Sequence, residues 1–316
     1  MFSLPCQTKN SPMSQRLIYV DTSMWNRLHD QRVPADNLLR RLAEANSTLV
    51  IGDHAVHELA KTFASVRSDA GDRAAALCGY LSGYVDLGVP LIKPNWALLI
   101  EEALHIVGDA GPPEILLPES SRAFLRAQLR DLVSQTVSST IREELEFRRF
   151  ASRDHTESMK EVLARETKLR GRLRQIDAGE LKKWIDAETV LAIGVEALQI
   201  NLRTQFPRND PAGLSEVSRR LLGRPRYRVA RALARTTLYS LWRCANYGTV
   251  PKDFNDDLLH LANASYCDFF VTADPQHAKQ RSEVFDTSCV LLYAEPRNLL
   301  EWFPLKIAEF DATGTS

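Results

Sequence analysis

The chain begins with the hydrophobic pattern of a parallel α/β domain. Residues 16–20 (RLIYV) form a short apolar run rich in β-branched and aromatic side chains, which predicts a β-strand. Residues 36–45 then alternate apolar and charged side chains at helical spacing, and residues 48–51 (TLVI) predict a second strand. A strand, a helix and another strand in this order are typical of a parallel α/β unit.

Two helices are predicted after the second strand. The first begins after Asp53, a residue suited to the N-cap, and its apolar side chains recur at helical spacing on one face. Glu58 lies beside that face, one turn inside the helix. The second helix covers residues 69–87 and ends at the turn signal of residues 88–90, before a short apolar segment at 91–93.

The middle of the chain has a different character. Between about residues 96 and 247, strand signals are scarce and apolar residues recur at helical spacing, with glycine- and proline-containing turns between the helices. The α/β pattern then returns, because residues 268–272 and 288–293 predict buried strands after a helix over residues 255–265. Pro296 is suited to the start of a last helix.

These patterns predict an α/β domain that is interrupted by a large α-helical insertion. The chain is 316 residues long and 44% hydrophobic, which is ordinary for a globular protein with a large core. Its four predicted parts are a flexible N-terminal tail, the first part of the core, the insertion and the second part of the core, at residues 1–15, 16–95, 96–249 and 250–316.

Composition and charge argue against several other classes. No apolar run approaches the roughly 18 to 20 residues that span a bilayer, and residues 1–15 lack the long apolar stretch of a signal peptide. The five cysteines are scattered, without the close spacings of a zinc site. We therefore expect a cytoplasmic protein with free thiols and no membrane contact.

The net charge of +0 means that any attraction for nucleic acid must come from a local patch. Residues 201–250 supply one, because arginine is frequent there while Asp210 and Glu216 are the only acidic residues. Arginine suits phosphate geometry and base stacking. A solvated helix face, or pairing with the acidic side chains of Glu143, Glu144 and Glu146, is the structural alternative. The predicted nucleic-acid contacts are Arg219, Arg220, Arg224, Arg226, Arg228, Arg231 and Arg235.

Four acidic residues spread along the chain are the candidates for chemistry. Asp21 directly follows the first strand, and Asp274 stands two residues after the strand at 268–272. Parallel sheets gather such positions in one crevice, which Glu58 and Asp257 could face from their helices. Clustered carboxylates repel one another, and a hard divalent cation such as Mg²⁺ or Mn²⁺ would relieve this. Each acid could instead be a helix cap or a solvated charge.

Four segments of the chain resemble the PIN-domain nucleases in order and character: YVDTSMWNRL at 19–28, HAVHEL at 54–59, DLLHLANASYCDFFVTAD at 257–274 and VLLYAEPRNLLEWF at 290–303. The resemblance covers roughly residues 14–95 and 250–310, and the long helical segment departs from a compact member of that family. It implies a three-layer PIN-like fold around a central parallel sheet, and RNA as the usual substrate. It also implies a site made by Asp21, Glu58, Asp257 and Asp274 as metal-binding acids, with Thr272 in support.

We therefore expect a Mg²⁺- or Mn²⁺-dependent endoribonuclease in which water attacks the phosphodiester and no protein nucleophile is needed. Ser23 is expected to support the site, and His260 could contact substrate, although a helix histidine is more often a structural hydrogen-bonding residue. The alternatives are a DNA nuclease of a defence system on the same core and a non-catalytic module for RNA binding or assembly. A homo-oligomer and an inhibitory protein partner stay open.

Overall fold

The computed structural model of this protein describes most of both α/β segments and most of the helical segment between them. The predicted tail lies outside the described residues apart from Gln15, and so does Pro296. The described residues are 15–61, 69–108, 113–134, 157–206, 210–248, 254–275, 289–294 and 298–313.

The described part of the chain contains a five-stranded sheet in which all neighbouring strands are parallel, in the order β3-β2-β1-β4-β5. The predicted mixed α/β class with a central parallel sheet is therefore confirmed. The strands are β1 (Arg16–Val20), β2 (Ser47–Gly52), β3 (Leu91–Ile92), β4 (Phe269–Thr272) and β5 (Val290–Tyr293).

Helices make up most of the remaining described structure. In the first α/β segment they are α1 (Thr22–Asp30), α2 (Ala35–Glu44), α3 (Asp53–Lys61) and α4 (Ala70–Asp86). In the helical segment they are α5 (Asn95–Val107), α6 (Glu119–Val133), α7 (157–165), α8 (Thr167–Arg174), α9 (Leu181–Glu188), α10 (Ala192–Gln205), α11 (Pro211–Leu222) and α12 (Arg228–Tyr247), with a 3₁₀ turn at Ala178–Glu180. The second α/β segment adds α13 (Phe254–Ala264) and α14 (Leu299–Thr313).

Strand β1 is the centre of the molecule because both of its faces are covered. Ile18 and Val20 belong to one hydrophobic cluster, here called core A, which also contains apolar residues of α1, α2, α4, α6 and α14. Tyr19 points to the opposite face and belongs to core B, which it shares with Phe270 and with apolar residues of α5 and of the helices from α7 to α13. A buried parallel strand reads as a continuous apolar run for this reason.

The helical segment packs on the sheet and is not a separately packed unit within the described residues. Helix α6 lies against α4 in core A, whereas α5, α11 and α12 join core B. The predicted division at residues 96 and 249 follows the change in sequence pattern, but both hydrophobic cores run across it. Helices therefore cover both faces of the sheet, in three layers.

A buried carboxylate joins the helical segment to the second α/β segment. Glu102 on α5 accepts hydrogen bonds from the backbone N–H groups of Val229 (2.9 Å) and Ala230 (2.8 Å) in the first turn of α12. It also accepts one from the hydroxyl of Tyr266 (2.6 Å), just before β4. Burial raises the pKa of Glu102 to about 7 despite these three hydrogen bonds. This side chain therefore satisfies N–H groups that the start of a helix leaves without partners.

Four of the five cysteines, Cys78, Cys244, Cys267 and Cys289, are buried free thiols, as expected, and Cys6 lies outside the described residues. In the described part of the chain, no helix has the length and apolar character needed to cross a membrane.

Gly52 at the end of β2 is required by the close approach of Tyr19. A Cβ atom at position 52 would lie 2.5 Å from the Tyr19 hydroxyl oxygen. We expect Gly52→Ala to lower the free energy of unfolding by about 1–3 kcal/mol through this overpacking, as measured by urea denaturation. Gly83→Ala on α4 is the matched control, because a Cβ atom at position 83 would meet no atom within 4 Å. This substitution should stabilise the helix. Equal effects of the two substitutions would contradict the expectation.

Glu102 predicts a pH dependence of stability. The pKa of Glu102 in the folded protein, about 7, lies above the ordinary pKa of glutamate. The stabilisation that the protonated side chain provides is therefore fully present below that ordinary pKa and is lost as the pH rises through 7. Between about pH 5 and 8, the free energy of unfolding of the wild type should fall relative to Glu102→Gln by on the order of 3 kcal/mol. Denaturation of both proteins at several pH values measures this difference, and a constant difference would refute the assignment.

Candidate functional site

The strand order places the carboxyl ends of β1 and β4 at a topological switch point. From β1 the chain proceeds to β2 on one side, and it returns through β4 on the other side of β1. Val20 is paired with Val271, so the residues that follow these two strands emerge side by side. In open parallel sheets this is the crevice where ligands bind. Asp21 follows β1 and Asp274 follows β4, as predicted.

Asp21 is both the N-cap of α1 and a member of a hydrogen-bond network at this crevice. Its Oδ1 accepts hydrogen bonds from the backbone N–H of Met24 (2.9 Å) and from the hydroxyl of Ser23 (2.7 Å). Its Oδ2 accepts one from the hydroxyl of Thr272 (2.7 Å). The side chain is 1% exposed. The cap that was the alternative to a site role is present, and it fixes the orientation of the carboxylate.

Ser23 and Thr272 extend this network to the loop that carries Asp274. The backbone N–H of Asp274 donates to Thr272 Oγ1 (3.1 Å), and the backbone N–H of Ala273 donates to Ser23 Oγ (3.0 Å). Asp274 itself is half-buried. The two hydroxyl residues expected in support of the site thus join Asp21 to the start of the loop after β4.

A second network lies beside the first and contains Glu58. The hydroxyl of Thr22 donates to Glu58 Oε2, and His260 Nε2 lies 2.7 Å from the same oxygen. On the other side of the ring, His260 Nδ1 is 2.6 Å from the hydroxyl of Tyr19. His260 is 1% exposed, whereas the side chain of Glu58 is 20% exposed. Because Asp21 and Thr22 are consecutive, the first turn of α1 connects the two networks.

The surroundings of Glu58 keep its carboxylate charged. Burial would raise the pKa of Glu58, but the hydrogen bond and charge of His260 hold it well below the usual value, with smaller contributions from His54 and Thr22. At Tyr19 burial is the dominant effect. It raises the pKa of the phenol and keeps the phenol neutral. The negative charges of Asp21 and Glu58 add to that rise.

His54 completes the second network and was not among the residues selected from the sequence. It is buried at the start of α3, and its ring packs edge-on against His260 with ring centroids 4.8 Å apart. Ligand atoms of His54, Glu58 and His260 all lie within 4.8 Å of one another. The spacing of His54 and Glu58, one helical turn apart, was a signal for this proximity, but nothing in the sequence pointed to His260 as their partner.

Asp257 lies in the first turn of α13, and its side chain is outside the part that the structure describes. It precedes His260 by three residues, so both positions lie on the same side of this helix. Since α13 leads into the amino end of β4, its first turn is the end that lies towards the carboxyl ends of the strands. The backbone therefore places position 257 towards the carboxyl end of the sheet, where Asp21 and Asp274 stand.

An open groove of about 740 Å³ begins at Asp274 and runs along one side of α1. Arg27 lies in this groove and donates a hydrogen bond to the carbonyl oxygen of Ala294 (3.4 Å). The groove is lined by Ser23, Asn26, Arg27, Asp30, Gln31, Ala273, Asp274 and Pro275.

The arginine patch does not form one surface around the acids. Arg235 is 1% exposed and pairs with Asp186 (2.5 Å), so its predicted contact with nucleic acid is wrong for this structure. Arg228 donates to the carbonyl oxygen of Ser265 (3.5 Å), before β4 begins, which places it at the opposite end of the sheet from Asp274. Proximity in the linear sequence does not distinguish the two ends of a sheet.

The other predicted arginine contacts differ in exposure. Arg219 is exposed and pairs with Glu216 (2.9 Å), and Arg231, partly buried, donates to the carbonyl oxygen of Leu222 (3.0 Å). The remaining three, Arg220, Arg224 and Arg226, are exposed. The alternative of pairing with residues 143–146 falls outside the described residues.

Comparison of the chain with models of known protein families, with curated proteins and with solved structures finds no match.

The hydroxyl of Thr272 predicts a specific stability loss. Thr272→Val removes the donor to Asp21 and the acceptor for the Asp274 backbone N–H, and it leaves both groups with one fewer partner. We expect the free energy of unfolding to fall by about 1–3 kcal/mol in chemical denaturation. Thr272→Ser keeps the hydroxyl and should lose clearly less. If the valine variant is as stable as the serine variant, these two hydrogen bonds contribute nothing.

Proposed function

We propose that this protein is a metal-dependent phosphodiesterase of the nuclease type, with RNA as its substrate. The observation that carries the proposal is the position of Asp21 and Asp274 at the switch point between β1 and β4, joined through Thr272. Glu58 is connected to the same corner through Thr22. Three acids from distant parts of the chain thus stand at the carboxyl end of the sheet, and position 257 lies towards the same end.

The donor set fits a hard divalent cation. Asp21 and Asp274 offer carboxylate oxygens, which are the ligands that Mg²⁺ and Mn²⁺ prefer. The Asp21 carboxylate is oriented by three hydrogen bonds, which is the usual arrangement of a carboxylate that binds a metal. A bound divalent cation would supply the positive charge that lowers the pKa of an attacking water and stabilises the leaving oxygen.

Each residue of the network has a role in this proposal. Asp21 and Asp274 hold the cation, and Ser23 and Thr272 keep the Asp21 carboxylate and the Asp274 loop in place. Both described hydrogen bonds of Glu58 are made to Oε2, which lies beside Thr22 and His260, so Oε1 is the oxygen assigned to the cation. Asp257 is assigned to the set by its position in α13 and by the resemblance to PIN-domain nucleases.

The groove beside Asp274 is the proposed path of the nucleic-acid backbone. It leads directly away from the acids, and Arg27 adds positive charge within it. Asn26 also lines the groove, and its side-chain oxygen accepts a hydrogen bond from Arg73 (3.0 Å). Because they line the groove that contains Asp274, Asn26 and Arg27 can position a phosphodiester beside that acid.

Cleavage of a labelled single-stranded RNA in the presence of Mn²⁺ tests the proposal. We expect cleavage by the wild-type protein, its loss in EDTA, and a fall in rate of about 100-fold or more in Asp21→Asn and in Asp274→Asn. Asparagine keeps the size of the side chain and can still cap α1, so loss of the charge is the main change. Thermal denaturation of each variant verifies that it is folded.

Asp86→Asn is the matched control. It makes the same substitution at an exposed residue that pairs with Arg126 on the surface, and it should leave the cleavage rate unchanged. If both site variants cleave as fast as this control, the acids are not the catalytic set and the proposal is wrong. A single-stranded DNA of the same sequence is tested in parallel, and cleavage of DNA alone would replace RNA as the assigned substrate.

A further inference from the structure

We propose that His54, Glu58 and His260 form a second metal site, which binds a borderline transition-metal ion of the Zn²⁺ type through two imidazoles and one carboxylate. Their ligand atoms all lie within 4.8 Å of one another. This inference goes beyond the proposed nuclease site. Glu58 is shared with the acidic set, but His54 and His260 are not, and binding of Zn²⁺ here does not require a cation at Asp21 and Asp274.

The three side chains come from two helices that the fold holds against each other. His54 and Glu58 are four residues apart on α3, which places them on the same face. His260 comes from α13, which packs against α3. Both histidines are buried, and the partly exposed Glu58 provides the side from which an ion can enter. A site on packed helices is formed before the ion arrives.

Tyr19 gives an independent reason to regard His260 as a ligand. The Tyr19 hydroxyl oxygen is 2.6 Å from His260 Nδ1, so it can accept a hydrogen bond from Nδ1–H. With the proton on Nδ1, the lone pair of Nε2 is left for the ion. Metal-binding histidines almost always donate their second ring N–H to an oxygen in this way. Tyr19 is itself fixed, because its ring lies against Gly52 and Phe270 in core B.

The donor set selects the class of ion. Two imidazole nitrogens and one carboxylate oxygen suit Zn²⁺ and similar first-row ions, whereas Mg²⁺ prefers oxygen ligands throughout. Three protein ligands leave a fourth position of a tetrahedral ion open to water or substrate, as in catalytic zinc sites. Binding would replace the hydrogen bond between His260 and Glu58, and the proton between them would pass to solvent.

The alternative is that the three residues form only a buried hydrogen-bonded pair with a neighbouring ring. A metal titration separates the two. The full-length protein, freed of metal by EDTA and dialysed, is titrated with ZnCl₂ in a calorimeter with excess Mg²⁺ present to occupy any oxygen-ligand site. We expect one Zn²⁺ per chain, and affinity reduced by about 100-fold or more in His54→Gln and in His260→Gln.

The control is His105→Gln, which changes a histidine on α5 that contacts Tyr227. This variant should bind Zn²⁺ as the wild type does. Tyr19→Phe removes the hydroxyl but keeps the ring, and it should weaken binding by about 10- to 100-fold. If His260→Gln does not fold, His54→Gln and Tyr19→Phe decide. The proposal is overturned if the wild type binds no Zn²⁺, or if the folded site variants bind it as well as the His105 variant. RNA cleavage with Mn²⁺ is unaffected by that outcome, so failure here is distinguishable from failure of the nuclease proposal.

Discussion

The parallel pairing of β1 with β4 is the constraint on which the rest of the site depends. It places Val20 opposite Val271, although these residues are about 250 positions apart, and it makes the two following segments emerge together. The first turn of α1 and the loop after β4 then share hydrogen bonds through Thr272 and Ser23. Without this pairing, Asp21 would be an ordinary helix cap and Asp274 an ordinary loop residue.

Successive side chains at the start of α1 divide the corner into two networks of different chemistry. Asp21 and Ser23 turn to the end of β4, where oxygen atoms predominate. Thr22 turns to Glu58 and His260, where imidazole nitrogens face a carboxylate. The low pKa of Glu58 follows from this second environment. One helical turn thus borders an oxygen-rich region suited to hard cations and a nitrogen-containing region suited to softer ones.

The helical segment contributes to the site indirectly, by holding α13 in position. Core B continues from Tyr19 and Phe270 into the helices of this segment, and Glu102 joins α5 to the start of α12. Helix α12 in turn packs against α13, which carries His260. The arginines of the segment are partly used for structure, as the pairing of the buried Arg235 with Asp186 shows. Basic composition alone therefore did not locate a binding surface.

The amino-acid sequence alone predicted four of the five described strands, most of the described helices and the acids that follow β1 and β4. Short apolar runs such as RLIYV are buried on both faces, and an aspartate directly after such a run must stand at the carboxyl end of a strand. The folded structure was needed to show which strand ends meet, that Glu58 pairs with His260, and that Arg228 lies at the far end of the sheet. The first two of these depend on strand order and helix packing, which join residues more than 200 positions apart and leave no local pattern in the sequence.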